Sequence, residues 1–108
     1  MHREEWQKTF VKRDGFVTRE IGGETVIVPV RNHVGDLDSI YTLNEVGTRI
    51  WRLVDGEASV ERIGQALCHS FEIHLEEAAK DTYDFLRTLE MAGLVRPTDL
   101  RGGGGEPN

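Results

Sequence analysis

The side chains of this chain that could act as nucleophiles, bases or metal ligands are few and scattered. His2, His33 and His74 lie far apart in the sequence, and the one cysteine, Cys68, is followed by His69. Neighbours on a helix point in different directions, so we interpret this adjacent pair as a buried thiol beside a surface imidazole. Catalysis would need a nucleophile, a base and an orienting group that converge in a pocket. We therefore predict that the chain is not an enzyme.

Cofactor and metal sites are equally hard to place. The segment Asp36-Leu37-Asp38-Ser39 could touch a cation, but it lacks the rest of a calcium loop, and we interpret it as a solvated turn. No glycine-rich phosphate loop is present, because Gly22-Gly23 lies between two strand-like runs. A single cysteine is too few to bind an iron–sulfur cluster. We therefore expect neither a metal nor a cofactor.

Size and composition indicate a single globular domain. The chain has 108 residues, of which 30% are charged, which fits one domain with a modest core. No apolar run approaches the length of about 20 residues that a membrane-spanning helix needs, and no signal-peptide core follows the N-terminus. A lone cysteine cannot form an internal disulfide, which agrees with a reducing compartment. We predict a cytoplasmic protein without membrane attachment.

Acidic residues are concentrated in the second part of the chain. Before Asp36 there are six Lys/Arg and five Asp/Glu, whereas from Asp36 onward there are seven Lys/Arg and fourteen Asp/Glu. This negative charge opposes sequence-independent attraction to nucleic-acid phosphates. It favours a partner that carries basic residues.

Two runs rich in β-branched residues predict a hairpin in the first half of the chain. Residues 16–21 and 25–30 flank Gly22-Gly23, and both glycines tolerate positive φ. Pro29 lacks an N–H and belongs near a strand end or on an edge. Residues 31–36 are predicted to form a loop, and residues 38–43 a short third strand.

Three helices are predicted after these strands. The first covers residues 45–54, where Asn44 can cap the first turn and Val46, Ile50, Leu53 and Val54 recur at helical spacing. The second begins after Ser59, a good N-cap. The third covers residues 75–92 and is ended by Gly93. Its continuous apolar face consists of Leu75, Ala78, Ala79, Thr82, Phe85, Leu86, Leu89 and Ala92.

These elements predict an α+β fold of the winged helix-turn-helix type, with a small three-stranded antiparallel sheet followed by three α-helices. We expect residues 1–14 to form a flexible N-terminal arm and residues 15–97 to form the domain. Residues 98–108 contain four consecutive glycines, and we expect a flexible tail there.

A winged-helix DNA-binding regulator is the natural alternative function for such a layout. The outward side of the third predicted helix argues against it, because basic residues are outnumbered there. Repulsion between this surface and phosphates would oppose every base contact. The outward residues are Glu76, Glu77, Asp81, Asp84 and Glu90 against Lys80 and Arg87.

The predicted sheet offers a second kind of function. A sheet of about three strands leaves one edge with unpaired N–H and C=O groups, and such an edge can accept an extended peptide as an extra strand. Backbone groups would then provide most of the attraction, and side chains at alternate positions would select the sequence. The edge could instead be covered by the N-terminal arm or by a second copy of the chain in a homodimer. Composition alone does not separate these possibilities.

Several short motifs occur together in a characteristic order between residues 16 and 95. They follow the predicted hairpin and are Tyr41-Thr42-Leu43-Asn44-Glu45, Ile50-Trp51, Asp55-Gly56, Glu76-Glu77-Ala78, Phe85-Leu86 and Gly93-Leu94-Val95. This order and spacing resemble the PqqD family, whose members are also called precursor-peptide recognition elements. The resemblance implies a three-stranded sheet, three helices and the binding of a leader peptide. In that family the leader of a ribosomally synthesised peptide adds to the third strand, in a groove beside the third helix.

The resemblance also implies partners and binding residues. The expected partners are the leader peptide and a separate maturase, commonly a radical S-adenosylmethionine (SAM) protein with SPASM-type iron–sulfur clusters. The product would be pyrroloquinoline quinone (PQQ) or another modified peptide. On the helix the charges could equally be solvated, with Tyr83 packed on its neighbours. The expected peptide-binding residues are Ser39, Ile40, Tyr41, Thr42 and Leu43 on the strand and Lys80, Tyr83, Asp84 and Arg87 on the helix.

One departure from the family pattern concerns the start of the third predicted helix. Relatives often carry Asp followed by Pro there, whereas this chain has His74-Leu75. We expect weak capping by His74, with Glu77 reaching back to the backbone of the first turn.

Overall fold

The computed structural model describes residues 3–30 and 40–98. These residues form two compact units: residues 14–52, here called the strand unit, and the described parts of residues 1–13 and 53–108, here called the helix unit. The predicted loop at residues 31–36 and the predicted tail from residue 99 onward lie outside the described residues. The elements in chain order are α1 (Arg3–Trp6), β1 (Phe10–Lys12), β2 (Phe16–Ile21), β3 (Glu24–Pro29), β4 (Tyr41–Leu43), α2 (Glu45–Leu53), α3 (Val60–Phe71), α4 (Leu75–Met91) and β5 (Val95–Pro97).

The strand unit is built on an antiparallel sheet with the strand order β2-β3-β4. Gly22 and Gly23 join β2 to β3 with φ angles of 60° and 87°. Two consecutive residues at positive φ make a turn whose twist matches that of a hairpin, and glycine adopts it without strain. The predicted hairpin, the third strand (β4) and the three following helices (α2, α3 and α4) are confirmed, and with them the α+β class.

Helix α2 starts directly after β4 and is fastened to the sheet by hydroxyl groups. The Asn44 side chain accepts a hydrogen bond from the Gly47 amide at 2.8 Å, so Asn44 is the predicted N-cap. Thr48 donates to the Leu43 carbonyl at 3.3 Å and lies 2.8 Å from the Thr25 hydroxyl. A hydroxyl has one hydrogen to donate, so Thr25 donates to Thr48. The pair Thr25–Thr48 is buried and links β3, β4 and α2.

Further contacts between α2 and β2 lie on the same face of the sheet, here called the inner face. The Phe16 and Trp51 rings are 5.9 Å apart between centroids, in a tilted arrangement. Arg52 donates from Nε to Glu20 at 2.9 Å and forms a second bond from the same guanidinium group. Glu20 and Arg52 are exposed, so this ion pair orients the two elements more than it stabilises them.

The helix unit is centred on a close contact between α3 and α4. Ser59 accepts a hydrogen bond from the Arg62 amide at 3.1 Å, which confirms the predicted N-cap of α3. A Cβ atom added to Gly64 of α3 would lie 3.0 Å from the Ala79 amide nitrogen of α4. The two helices therefore approach through small residues. The core of this unit includes Val60, Ile63, Leu67, Ala78, Ala79, Leu86, Leu89, Leu94 and Val95.

A second, two-stranded sheet joins the two ends of the helix unit. Strand β1 pairs antiparallel with β5, and Val11 lies opposite Arg96. Phe10 is buried in this arrangement. The sequence predicts a flexible arm over residues 1–14, whereas the structure places α1 and β1 within that range. Strands of three residues are too short for a period-2 pattern, so the sequence carries no signal for this pairing.

The N-terminus of α4 lacks a side-chain cap. His74 occupies the N-cap position with extended backbone, and its side chain makes no capping hydrogen bond. We expect His74→Asp to raise the free energy of unfolding by about 1 kcal/mol at neutral pH, because a carboxylate can accept from the first-turn amides and interacts favourably with the helix dipole. Urea denaturation followed by circular dichroism measures this change. The control is His74→Ala, which offers no acceptor; equal stability of the Asp and Ala variants would contradict the prediction.

A buried hydroxyl on α4 has no hydrogen-bond partner among the described residues. Thr82 is fully buried, and its Oγ1 is unpaired in this part of the chain. Thr82→Val keeps the shape and removes the desolvated hydroxyl, so we expect about 1 kcal/mol of added stability. Thr88→Val is the matched control on the same helix, because Thr88 is exposed and its hydroxyl donates to the Asp84 carbonyl at 3.1 Å. A Thr82→Val gain no larger than that of Thr88→Val, measured by thermal unfolding, would count against this explanation.

Candidate peptide-binding edge

Strand β4 is an edge of the sheet in the described part of the chain. Its residues pair with β3 alone, with Tyr41 opposite Ile27, Thr42 opposite Val26 and Leu43 opposite Thr25. Along a strand, the N–H and C=O groups of alternate residues point to opposite sides. Part of the β4 backbone therefore points away from β3, and no other described strand pairs with it.

The two edges of this sheet differ in charge. Strand β2, the opposite edge, carries Arg19 and Glu20, and charged side chains on an edge discourage the addition of another strand. Residues 40–43 carry no charge. Of the two edges, β4 is therefore the better template for an added strand.

The side chains of β4 divide between the two faces of the sheet. Tyr41 and Leu43 share the inner face with their partners Ile27 and Thr25, because residues directly opposite in an antiparallel pair lie on the same face. Leu43 is buried and Tyr41 half-buried. Thr42 lies on the outer face and is exposed.

A separate group of side chains lies along one side of α4. Lys80 donates to Asp84 at 2.9 Å, and Arg87 donates to the Tyr83 hydroxyl at 3.3 Å while its guanidinium carbon is 5.9 Å from the centre of the Tyr83 ring. Arg87 also pairs with Glu90 at 3.3 Å. This arrangement agrees with the interpretation in which Tyr83 packs on its helical neighbours.

Neighbouring side chains favour the charged forms of these two cations. The hydrogen bond and charge of Asp84 raise the pKa of Lys80. The hydrogen bond with Tyr83 raises the pKa of Arg87, and Glu90 and Glu5 add to this effect. Both cations stay charged at neutral pH, but they already have anionic or hydroxyl partners within the helix unit.

Comparison with known proteins identifies the family. Residues 24–95 match the family described as coenzyme PQQ synthesis protein D (PqqD). The chain belongs to the PqqD family. No curated protein matches the chain.

A solved structure shares the PqqD-family fold of this chain. It is described as TbiB1 in complex with the TbiA(beta) leader peptide, and it superposes with a TM-score of 0.66. The two sequences are 25% identical, and the match covers 90% of this chain and 99% of TbiB1. The sequence-based assignment to the PqqD family is thus confirmed.

The peptide-binding residues expected from the PqqD resemblance fall into two sets. Ile40, Tyr41, Thr42 and Leu43 belong to the strand unit, and Ser39 lies outside the described residues. The four residues expected on the helix belong to the helix unit, where they form two separate hydrogen-bonded pairs, Lys80 with Asp84 and Arg87 with Tyr83. The peptide-binding role of both sets stays a prediction.

Sequence reasoning missed one residue that shapes this PqqD-family edge. Thr48 donates to the carbonyl at the end of β4, whereas helical periodicity predicts buried positions from apolar residues alone. A polar residue three positions before Trp51, on the buried side of the helix, was the available signal. Conversely, Val46 belongs to the apolar residues that recur at helical spacing, but it is 36% exposed.

Other kinds of site find no support in the described part of the chain. No group of three or more His, Cys, Asp or Glu residues is placed there to hold a metal ion. Among the same residues, no helix has the length and apolar character needed to span a membrane.

Proposed function

We propose that this PqqD-family protein binds the leader of a ribosomally synthesised precursor peptide as an additional strand along β4. The observation that carries the proposal is the uncharged edge at residues 40–43, which pairs with β3 alone in the described part of the chain. TbiB1, which shares the fold, is described in complex with a leader peptide, and this supports leader binding by this chain.

The affinity of such a complex comes mainly from the backbone. Each hydrogen bond between the leader and β4 contributes about 0.5–1.5 kcal/mol. Side chains at alternate leader positions then select the sequence, since they point to opposite faces of the extended sheet. Conversion of the bound peptide is carried out by a partner enzyme, and this chain supplies recognition.

The residues of α4 form the second part of the proposal. Following the family pattern, we propose that Lys80, Tyr83, Asp84 and Arg87 also contact the leader. Each cation of this set has an acidic neighbour on the same helix. A basic leader side chain could approach Asp84, and an acidic one could approach Arg87, by exchanging partners within these pairs.

The proposed enzyme partner is a radical SAM maturase with SPASM-type clusters, and the proposed pathway is the production of PQQ or of another modified peptide. The family membership supports this assignment. The negative charge of α4 supports a peptide or protein partner over nucleic acid, because Lys80 and Arg87 are both engaged by carboxylates.

Amide hydrogen exchange measured by NMR tests the proposal directly. The probe is a synthetic peptide with the sequence of the leader of a candidate precursor peptide. We expect at least one amide within residues 41–43 to exchange more slowly by about tenfold or more in the complex, because an added strand shields it from water. Amides of β2 serve as the internal control and should keep their rates.

Two outcomes would contradict the proposal. One is peptide binding that leaves every β4 amide at its original exchange rate. The other is a concentration-stable homodimer, detected by light scattering, in which β4 is already protected and the peptide does not bind.

A further inference from the structure

The outer face of the sheet, opposite α2, carries an exposed apolar surface. Val17 lies opposite Val28, and Arg19, Val26 and Thr42 form the next row across the three strands. Val17 is 52% exposed, and Val28 is half-buried. β-Branched residues opposite each other on neighbouring strands pack together and stabilise a sheet.

Ile40 extends the first of these rows to the β4 edge. The β3–β4 pairing ends at Ile27 and Tyr41, and extending that register by one residue would set Ile40, which directly precedes β4, opposite Val28. Ile40 is 54% exposed. The row Val17–Val28–Ile40, here called the outer apolar row, therefore ends in an exposed isoleucine at the edge where the leader is proposed to add.

The charges on this face are distributed unevenly. Arg19 and Glu24 lie on the two rows away from the outer apolar row, since Glu24 pairs with Ile21 and Arg19 with Val26. An outward leader side chain beside Thr42 lies next to the Thr42 hydroxyl. Arg19 lies at the far end of the same row, on β2. An outward side chain beside Ile40 lies next to an aliphatic residue, and Val28 and Val17 follow further along the same row.

We propose that the outer apolar row selects leaders with an aliphatic or aromatic side chain at the outward position next to Ile40. This inference rests on the proposed strand addition and specifies the class of peptide that the site accepts. The neighbouring outward position, two residues along the leader and beside Thr42, tolerates polar side chains.

The physical reason is the burial of apolar surface. An apolar leader side chain beside Ile40 removes water from both groups, and each buried methylene contributes about 0.8 kcal/mol. A charged leader residue at that position would be partly desolvated without a partner. The position beside Thr42 offers a hydroxyl group, so a polar residue can keep a hydrogen bond there.

A selection experiment tests this inference. The probe is a displayed library of random 12-residue peptides, which is selected on the wild-type protein. We expect the enriched peptides to share an aliphatic or aromatic residue at one position and to show no apolar preference two residues along. Replacing that residue by Ala in one enriched peptide should weaken binding to the wild type by about three- to tenfold.

A double-mutant cycle identifies the protein residue involved. Against Ile40→Ser, the same Ala replacement in the peptide should have less than about half of its effect in free-energy terms, because the apolar partner is already absent. Ile21→Ser is the matched control, since Ile21 is exposed on the same face in a different row. The Ala replacement should keep its full effect against this variant.

The outcomes separate this inference from the proposed function. Enriched peptides that protect the β4 amides but show no coupling to Ile40, or equal coupling to Ile21, overturn the role of the outer apolar row and leave strand addition standing. Enriched peptides that protect no β4 amide overturn both. Coupling confined to Ile40 supports the inference.

Discussion

Replacing Thr42 with proline is expected to weaken leader binding by about 100-fold while leaving the helical content unchanged. Proline removes a backbone N–H and fixes φ at about −65°, whereas residues in an antiparallel strand prefer a φ of about −140°. The loss of about two net hydrogen bonds and of the extended edge geometry corresponds to about 2.7 kcal/mol. Titration calorimetry with the synthetic leader peptide measures the affinity, and far-ultraviolet circular dichroism measures the helices.

The opposite edge provides a matched control for this substitution. Thr18 is exposed in the middle of β2 and lies opposite Ile27, the same residue that faces Tyr41 on the other side. Thr18→Pro therefore disturbs the sheet to a comparable degree without touching β4. We expect this variant to bind the leader within about threefold of the wild type. If both variants lose binding equally, or Thr42→Pro retains full affinity, the assignment of the site to β4 is wrong.

The second large effect concerns the contact between α3 and α4. A Cβ atom at Gly64 would lie 3.0 Å from the amide nitrogen and 3.1 Å from the Cα of Ala79, and both are backbone atoms that cannot rotate away. We expect Gly64→Val to lower the free energy of unfolding by about 3 kcal/mol, because the helices must separate to admit the side chain. Most domains have about 5–15 kcal/mol of stability, so the variant should still fold at low temperature.

The neighbouring residue isolates the steric part of this effect. Gln65 is exposed on the same helix, and Gln65→Val carries the lower helix propensity of valine, a few tenths of a kcal/mol, without a clash. Guanidinium denaturation of both variants at one temperature gives the comparison. A Gly64→Val variant as stable as Gln65→Val would show that α3 and α4 can separate freely, contrary to the close contact described here.

Much of the strand and helix pattern was accessible from the sequence, because local chemistry determines it. Gly22 and Gly23 mark the hairpin since both need positive φ. Asn44 and Ser59 mark the starts of α2 and α3, and each makes the capping bond that its side chain allows. The long apolar stripe of α4 needed no tertiary information, and its buried members agree with the prediction.

Features that depend on distant parts of the chain were not accessible. Phe10 pairs with Pro97 across nearly the whole sequence, and three-residue strands contain too few residues to show a period. The close contact between the helices at Gly64 could not be predicted. A glycine within a helix ordinarily indicates only a loss of stability, and its neighbour on α4 is unknown before folding. The unpaired hydroxyl of Thr82 could not be anticipated, since threonine on an apolar stripe commonly bonds to its own helix.

The sequence shows which residues form the proposed edge, but not which contacts the candidate side chains make. The uncharged character of residues 40–43 is visible in the sequence, and the edge position of β4 follows from a three-stranded sheet. The bonds of Arg87 to Tyr83 and Glu90 were not predicted, because long flexible side chains have several partners within reach on a helix surface. The outer apolar row could not be predicted, because it depends on the register between β2, β3 and β4.

The buried hydroxyls of Thr25 and Thr48 bear on the kinetics of recognition. These two hydroxyls connect the carbonyl of Leu43, at the end of β4, to α2 in the absence of a bound peptide. On binding, most of the conformational entropy is lost by the peptide, which must become extended, and the protein loses little. If the leader adds along β4 as proposed, this preorganised edge leaves the protein no slow rearrangement to make on binding.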